Sequence, residues 1–189
     1  MSNLIDRYLL FRIRTKRDPE AFAKIYDIYV KAIYRFTLLK LPSKEEAQDI
    51  TAETFTKTWN YLQEYNEVAN IRALLYQIAR NLIADFYRSQ KYKETIARNV
   101  TIQADDTSTI LESAEESDHG RDRELIQARA EMSLILQQLE KLKDDYRDVV
   151  TLRLVDGLAF TDIAEILGKS KGNVRVIYHR AIKTLKDIK

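Results

Sequence analysis

A short segment near the C-terminus constrains the fold more than any other part of the chain. Residues 160–180 contain two amphipathic patterns separated by a small residue and, four positions later, a glycine, namely Ala164 and Gly168. A small side chain lets two helices approach closely, and glycine supplies the turn between them. Ser170 can cap the second helix because its hydroxyl can accept a hydrogen bond from the amide of Asn173. The segment therefore predicts a helix-turn-helix.

The predicted second helix carries two separate stripes. At about 100° per residue, one arc contains the apolar side chains Val174, Ile177, Tyr178, Ala181 and Leu185. A separate arc contains the basic side chains Lys171, Arg175, His179, Lys183 and Lys186, with Ile182 as its one apolar member. An isolated basic stripe is usually a solvated face, but on the second helix of a helix-turn-helix it favours contact with DNA.

The scarcity of chain breakers extends the helical prediction to the whole chain. Only four glycines and two prolines occur among 189 residues, so few strands or tight turns are expected. No cysteine is present, which excludes disulfides, thiolate zinc sites and cysteine nucleophiles. The N-terminus lacks a secretory signal pattern, and no apolar run approaches the roughly 20 residues of a membrane span. We expect a cytoplasmic protein without membrane insertion.

Helical periodicity divides the chain into two units. It is present over residues 1–94, is lost over 95–120 and returns over 121–189. The middle segment is rich in Asp, Glu, Ser and Thr, and residues 104–118 contain six carboxylates and no Lys or Arg. Such composition predicts a flexible linker. The predicted fold is all-α, with two small helical domains joined by a flexible acidic linker, the C-terminal one containing the helix-turn-helix.

Several helix starts are marked by capping residues. Asp18 precedes a proline, Ser43 and Glu46 match a capping box in which each satisfies an orphan amide of the other, and Asn70 can cap a third long helix. Asp144 can open a helix in the second unit that ends near Gly157. The predicted helices include residues 4–16, one from 19, 44–62, 71–91 and 144–157.

Two surfaces of the first unit carry charge. In the helix over 44–62, Glu46, Asp49 and Glu53 lie within about 60°, which fits either a solvated face or a basic protein partner. The helix over 71–91 leaves polar and basic side chains opposite its apolar face, flanked by two tyrosines. Cations neutralise phosphate and tyrosines stack on bases, so this surface suits melted DNA, although core-edge tyrosines and solvated cations would give the same pattern. The residues are Gln77, Arg80, Arg88 and Lys91, with Tyr76 and Tyr87 beside them.

Taken in order, three segments of the chain resemble bacterial RNA polymerase sigma factors of the extracytoplasmic-function type. Residues 45–55 look like the family's core-polymerase-binding helix, residues 78–88 like its −10-element helix, and residues 156–168 like the start of its −35 helix-turn-helix. The resemblance covers nearly the whole chain. This order of segments is more specific than a single helix-turn-helix.

The resemblance implies a role in promoter-specific transcription initiation. Region 2, residues 1–94, would bind core polymerase and the −10 element, and region 4, residues 121–189, would bind the polymerase flap and the −35 element. Implied contacts with the polymerase clamp are Glu46, Asp49 and Glu53. Implied −10 contacts are Tyr65, Asn66, Gln77, Arg80, Arg88 and Lys91. Candidate −35 contacts are Lys171, Asn173, Arg175, His179, Arg180 and Lys183. An anti-sigma factor is also expected as a partner, because the family commonly has one.

This sequence departs from the family pattern at a few positions. Gln48 stands where an acidic residue is usual and Ala52 where glutamine is usual. Lys169 replaces an apolar residue of the turn, and Ala159 occupies a position where a serine-type cap is frequent. Gln48 and Ala52 bear on how much of the binding to core polymerase the acidic helix provides. Lys169 and Ala159 bear on the stability of the turn and of the first helix of the helix-turn-helix.

No catalytic, metal or cofactor site is predicted, so the chain is not expected to be an enzyme. His119 and His179 lack the spacing of a metal site or catalytic triad, and no glycine-rich phosphate loop is present. Three alternatives stay open. They are an autonomous DNA-binding regulator whose first unit dimerises or senses a signal, a helical adaptor without promoter specificity and, more distantly, a helical hydrolase.

Overall fold

In the part of the chain that the structure describes, the main elements are seven α-helices. The structure is a computed structural model that describes residues 4–64, 68–100, 138–139 and 141–187, with the backbone alone for 92–100. Within these ranges there are helices and turns but no strand. The chain divides into two compact units. The predicted all-α, two-unit architecture is therefore confirmed.

Four helices form the N-terminal unit. They are α1 (Leu4–Lys16), α2 (Pro19–Leu38), α3 (Lys44–Glu64) and α4 (Ile71–Val100). Helix α2 packs against the other three, and α3 also packs against α1 and α4. Side chains from α2 and α4 that are almost inaccessible to solvent fill the middle of this bundle, namely Ile25, Ile33, Phe36, Leu75 and Tyr76.

Helix α2 begins at the predicted cap. One carboxylate oxygen of Asp18 accepts hydrogen bonds from the amides of Glu20 and Ala21 at 3.0 and 3.2 Å, and Pro19 occupies the first helical position. Desolvation opposes the charge of Asp18, but the amide of Ala21 and the guanidinium of Arg12 outweigh it and lower the pKa of this carboxyl. The cap is therefore charged at neutral pH.

Helices α3 and α4 also begin as predicted. The amide of Glu46 donates to the Ser43 hydroxyl at 3.1 Å, and the amide of Ala73 donates to the Asn70 side chain at 3.2 Å. The capping box differs from the expectation in one respect. The Glu46 carboxylate accepts from the Ser43 hydroxyl at 3.0 Å, rather than from the Ser43 amide.

Helix α3 buries a row of threonines beside its apolar residues. Thr51, Thr54 and Thr58 are buried, and each hydroxyl donates to the carbonyl one turn earlier at 2.6–2.7 Å. Thr51 also shares a 3.0 Å hydrogen bond with Thr37 of α2. Because each of these hydroxyls has a hydrogen-bond partner, small polar side chains are accommodated in the buried contact between α2 and α3.

Helix α1 is joined to α2 by a buried hydrogen bond. The Tyr29 hydroxyl donates to the Asp6 carboxylate at 2.7 Å, and both side chains are buried. Burial, together with the hydrogen bond to Asp6, raises the pKa of Tyr29 to about 12, against an opposing effect of Arg72. Tyr29 therefore remains a neutral donor throughout the physiological range.

Helix α4 is longer than predicted. It continues to Val100 instead of ending near Lys91, and so includes residues 95–100 of the predicted linker. No glycine or proline occurs between Ile71 and Val100, so nothing in the local sequence interrupts the helix. The remainder of the predicted linker, residues 101–120, lies outside the described residues.

The C-terminal part of the chain, which forms the second unit apart from Glu165–Gly168, contains three described helices. They are α5 (Asp144–Val150), which continues as a wider π-helical turn (Thr151–Val155), α6 (Phe160–Leu167) and α7 (Lys171–Asp187). The predicted helix from Asp144 to near Gly157 is confirmed in extent, but its second half has the wider hydrogen-bonding pattern. Gly157 and Gly168 have φ values of 66° and 60°, as their places at helix ends require.

Helix α7 packs against α5 and completes the core of this unit. The buried cluster consists of Leu139, Leu142, Val150 and Ala181, with Tyr146, Ile182 and Leu185 packed against it. Ile182, which the helical projection places within the basic arc, packs against this core. Helix α7 is therefore held firmly along one side, which leaves its opposite side for contacts with other molecules.

Candidate nucleic-acid interface

The turn before α7 is closed by hydrogen bonds at both of its ends. At the end of α6, the Lys169 amide donates to the carbonyl of Ala164 at 2.9 Å. At the start of α7, the Asn173 amide donates to the Ser170 hydroxyl at 3.2 Å. The predicted cap and helix start are confirmed, so the orientation of the first turn of α7 is well defined.

The two predicted stripes of α7 occupy different environments. Val174, Ile177 and Ala181 are buried, and Tyr178 and Leu185 are partly buried. The candidate DNA contacts are all exposed, and among the described residues none of them forms an ion pair. They form the α7 surface, which consists of Lys171, Asn173, Arg175, His179, Arg180 and Lys183. Its charge is thus available to an anionic partner.

An aromatic side chain that the sequence analysis did not single out supports this surface. The Phe160 ring packs edge-to-face on Tyr178, with 5.4 Å between centroids. The guanidinium of Arg175 lies 5.8 Å from the Phe160 centroid, and that of Arg153 lies 4.7 Å from it. Phe160 therefore restricts the position of Arg175. No local sequence pattern indicates this contact, because it depends on how α6 and α7 pack together.

Lys169, the departure in the turn, has a specific role. Its ammonium forms an ion pair with Asp145 of α5 at 3.1 Å. Both side chains are partly exposed, so the pair contributes little to stability. The pair explains how a charged residue is accommodated where the family usually has an apolar one.

The basic side of α4 is less exposed than that of α7. It forms the α4 surface, which consists of Gln77, Arg80, Arg88 and Lys91. Gln77 and Arg80 are half-buried, whereas Arg88 and Lys91 are exposed. Arg88 forms an ion pair with Asp85, three residues earlier. The four side chains follow one side of the helix over about 21 Å. The other two predicted contacts of this group, Tyr65 and Asn66, lie outside the described residues.

The two tyrosines that flank the α4 surface lie in different environments. Tyr76 is only 1% exposed and packs edge-to-face on Phe36, with 5.2 Å between centroids. Of the two alternatives left open for Tyr76, this placement favours a core tyrosine over a stacking platform, because the apolar side of α4 is wide enough to include it. Tyr87 is partly exposed, and its hydroxyl donates to the Lys40 carbonyl at 2.5 Å.

The acidic α3 surface consists of Glu46, Asp49 and Glu53. Asp49 and Glu53 are exposed on adjacent turns, and Glu53 forms an ion pair with Lys57 at 3.0 Å. Glu46 is half-buried, and its carboxylate accepts a hydrogen bond from the Ser43 hydroxyl. Asp49 and Glu53 are therefore the members best placed to meet a basic partner, whereas Glu46 stabilises the helix start.

The described ranges lack the groups that two other kinds of site require. They contain no group of three or more His, Cys, Asp or Glu side chains placed to hold a metal ion. No helix within them combines the length and apolar character that a membrane span requires.

Family models match both units of the chain. The model of Sigma-70 region 2 matches residues 25–92, and that of Sigma-70 region 4 matches residues 132–185. The first match covers α3 and most of α2 and α4, and the second covers the helix-turn-helix. The exposed surfaces described above all lie within these matches.

Relatives and solved structures support the same assignment. The chain is 30% identical to the ECF RNA polymerase sigma factor SigW of Bacillus subtilis over 171 residues, covering 90% of each chain. It is 27% identical to the ECF sigma factor BldN of Streptomyces coelicolor, covering 89% of this chain but 60% of BldN. The fold is similar to that of CnrH in complex with the cytosolic domain of CnrY, at 20% identity and a TM-score of 0.68 over 97% of this chain and 96% of CnrH. The chain therefore belongs to the family of extracytoplasmic-function RNA polymerase sigma factors.

Proposed function

We propose that this protein binds core RNA polymerase in the cytoplasm and directs promoter-specific initiation, with α7 recognising the −35 element and the N-terminal unit helping to melt the −10 element. The observation that carries the proposal is the α7 surface, where six exposed polar or basic side chains project from a helix whose opposite side is buried. It acts as an initiation factor and carries out no catalysis of its own.

Helix α7 has the form that duplex recognition requires. The major groove is about 12 Å wide and admits one α-helix, whose N-terminal residues reach the base edges. Lys171, Asn173 and Arg175 occupy this first part of α7 and are exposed. Arg175 is the candidate for a bidentate contact with guanine, because Phe160 holds its guanidinium in place. Lys183, further along, is suited to phosphate.

The α4 surface is suited to the unpaired strand. Arg80, Arg88 and Lys91 supply charge for successive phosphates, and Gln77 supplies an amide oxygen that can accept a hydrogen bond from a base edge. Tyr65 and Asn66, which precede α4 in the sequence and lie outside the described residues, complete the proposed −10 site. Tyr76 is not part of it, because its ring is buried.

The acidic α3 surface is proposed to bind the polymerase clamp through Asp49 and Glu53. Exposed charges of this kind contribute more to the rate and specificity of association than to affinity. Region 4 is proposed to contact the flap. We also propose an anti-sigma factor as a regulatory partner. A solved relative, the sigma factor RpoE from Bartonella quintana, is in complex with the anti-sigma factor NepR.

Run-off transcription tests the proposal. Purified core polymerase from the source bacterium is supplied with genomic promoter fragments, with and without this protein, and transcripts are mapped. Discrete start sites that require the protein are expected. A variant with Asp49→Lys and Glu53→Lys should lose them, whereas Glu64→Lys, at an exposed site at the far end of α3, should retain them. Failure to bind core or to initiate anywhere new would refute the proposal, and tight promoter binding without polymerase would indicate an autonomous regulator.

A further inference from the structure

Helix α1 exposes a second apolar stripe on the side away from the core. Leu9 and Ile13 are buried, whereas Tyr8 and Phe11 are 59% and 57% exposed. Leu4 is also exposed. At about 100° per residue, Leu4, Tyr8 and Phe11 share an arc of about 60° on the opposite side of the helix from Leu9 and Ile13. Two exposed aromatic rings therefore lie one turn apart on the surface of the N-terminal unit.

This stripe forms one wall of an open groove of about 720 Å³. The other wall consists of Leu62, near the end of α3, and Val68 and Ala69, just before α4. Arg7 and Arg14 of α1 also line the groove. Aromatic, apolar and cationic groups thus converge in one depression.

The exposed charge of this groove wall is positive. The one carboxylate of α1 is Asp6, which is buried and accepts a hydrogen bond from Tyr29. Arg12 pairs with Asp18 at 2.5 Å, and its guanidinium lies 5.9 Å from the Tyr8 ring centroid. No ion pair involves Arg7 or Arg14 in the part of the chain that the structure describes. The α1 wall therefore combines aromatic rings with cations.

We propose that this groove binds single-stranded DNA, with bases stacking on Tyr8 and Phe11 and phosphates paired with Arg7 and Arg14. Cations along a groove and exposed rings for base stacking are the combination by which proteins hold unpaired strands. The groove is bordered by Val68 and Ala69, which follow the proposed −10 contacts Tyr65 and Asn66 closely in the sequence. The inference rests on the proposed function for the source of the unpaired strand. It extends the binding path beyond α4 to α1.

An acidic amphipathic peptide is the competing occupant, and replacement of the rings by leucine separates the two. Full-length protein is titrated onto a fluorescent oligothymidine, and the affinity is measured by anisotropy. The double variant Tyr8→Leu, Phe11→Leu keeps apolar area but removes stacking, so affinity should fall at least about fivefold. The control Tyr26→Leu removes an exposed ring of α2 that does not line the groove, and it should leave affinity within about twofold. Unchanged affinity in the double variant overturns the inference.

Arginine variants test the phosphate contacts separately. Each phosphate contact to a single strand contributes about 0.7 to the salt dependence of log affinity, so Arg7→Ser with Arg14→Ser should lower the slope by about twice that amount. Lys31→Ser, which removes an exposed cation of α2, is the matched control and should leave the slope unchanged. An equal effect in the control would contradict a specific groove.

Photo-cross-linking locates the strand directly. An oligonucleotide containing 5-iodouridine should cross-link to Tyr8 or Phe11, as mapped by mass spectrometry of the full-length protein. Cross-links found only outside residues 4–16 overturn the inference. If cross-links to α1 form but run-off transcription fails, only the proposed function is refuted. If transcription is normal but no cross-link to α1 forms, only the α1 groove is refuted.

Discussion

The two units present their candidate DNA contacts in different ways. On α7 all six side chains are exposed, and Arg175 is supported by an aromatic ring. On α4, Gln77 and Arg80 are half-buried and Arg88 is paired with Asp85. One surface projects from its unit, and the other lies close to the body of its bundle.

This difference corresponds to the physical state of the DNA that each unit is proposed to meet. A duplex is stiff, so a helix must project its side chains into a groove of fixed width. An unpaired strand is flexible and can follow groups that lie close to the protein surface. We therefore propose that the C-terminal unit holds the duplex and that the N-terminal unit captures the melted strand.

The largest expected effect is on stability, and it distinguishes a core tyrosine of the N-terminal unit from an exposed one beside the α4 surface. Tyr76→Ala should destabilise this unit by about 3–5 kcal/mol, because it leaves a cavity beside Phe36. Thermal unfolding followed by circular dichroism measures the loss. Tyr87→Ala, at an exposed ring, is the control and should cost clearly less. If Tyr87→Ala cost as much as Tyr76→Ala, the interpretation of Tyr76 as a core residue would be wrong.

The next effect concerns duplex recognition alone. Arg175→Ala should weaken binding of the polymerase complex to promoter duplex by about 1–3 kcal/mol, through the lost base contact. Its binding to a single-stranded −10 oligonucleotide should not change. Gel-shift titrations of both DNAs measure this, with Lys31→Ala, which removes an exposed cation of α2, as the control. Equal losses on both DNAs would break the division between the units.

A smaller effect compares the helix caps of the two units. Ser43→Ala and Ser170→Ala should each cost about 1 kcal/mol, since each removes a hydrogen bond to an orphan amide. Ser43 should cost more, because its hydroxyl also donates to Glu46 and is partly buried, whereas Ser170 is exposed. Urea unfolding measures both. A larger loss for Ser170→Ala would contradict this ranking.

The smallest effect on stability is expected at Arg88. Its ion pair with Asp85 is exposed, so Arg88→Ala should change the free energy of unfolding by less than about 0.5 kcal/mol. The same variant should lower the salt slope of single-strand binding by about 0.7, since one phosphate contact is lost. An unchanged slope would remove Arg88 from the proposed −10 surface.

Local patterns predicted much of this fold. The caps at Asp18, Asn70 and Ser170, the turn at Gly168 and the buried side of α7 follow from residue types and helical spacing, and the structure contains them. Each depends on neighbours only a few positions away along the chain. This is the range over which sequence reasoning is strongest.

Features that depend on packing between helices were not predictable in the same way. Tyr76 lies at the edge of the apolar arc of α4, and only the position of Phe36 on another helix places it in the core. Phe160 supports Arg175 because α6 and α7 bring the two residues together. The end of α4 was misplaced because residues 95–100 mix polar with apolar side chains and are compatible with both helix and linker.

The division of roles between the units is tested most directly by run-off transcription from two templates. One template is a duplex promoter, and the other carries the same promoter with its −10 region already unpaired by mismatches. A variant with Arg80→Ala and Lys91→Ala should fail on the duplex and recover on the unpaired template, whereas Arg175→Ala should remain impaired on both. Recovery of both variants, or of neither, would contradict the assignment of strand capture to the N-terminal unit and duplex holding to α7.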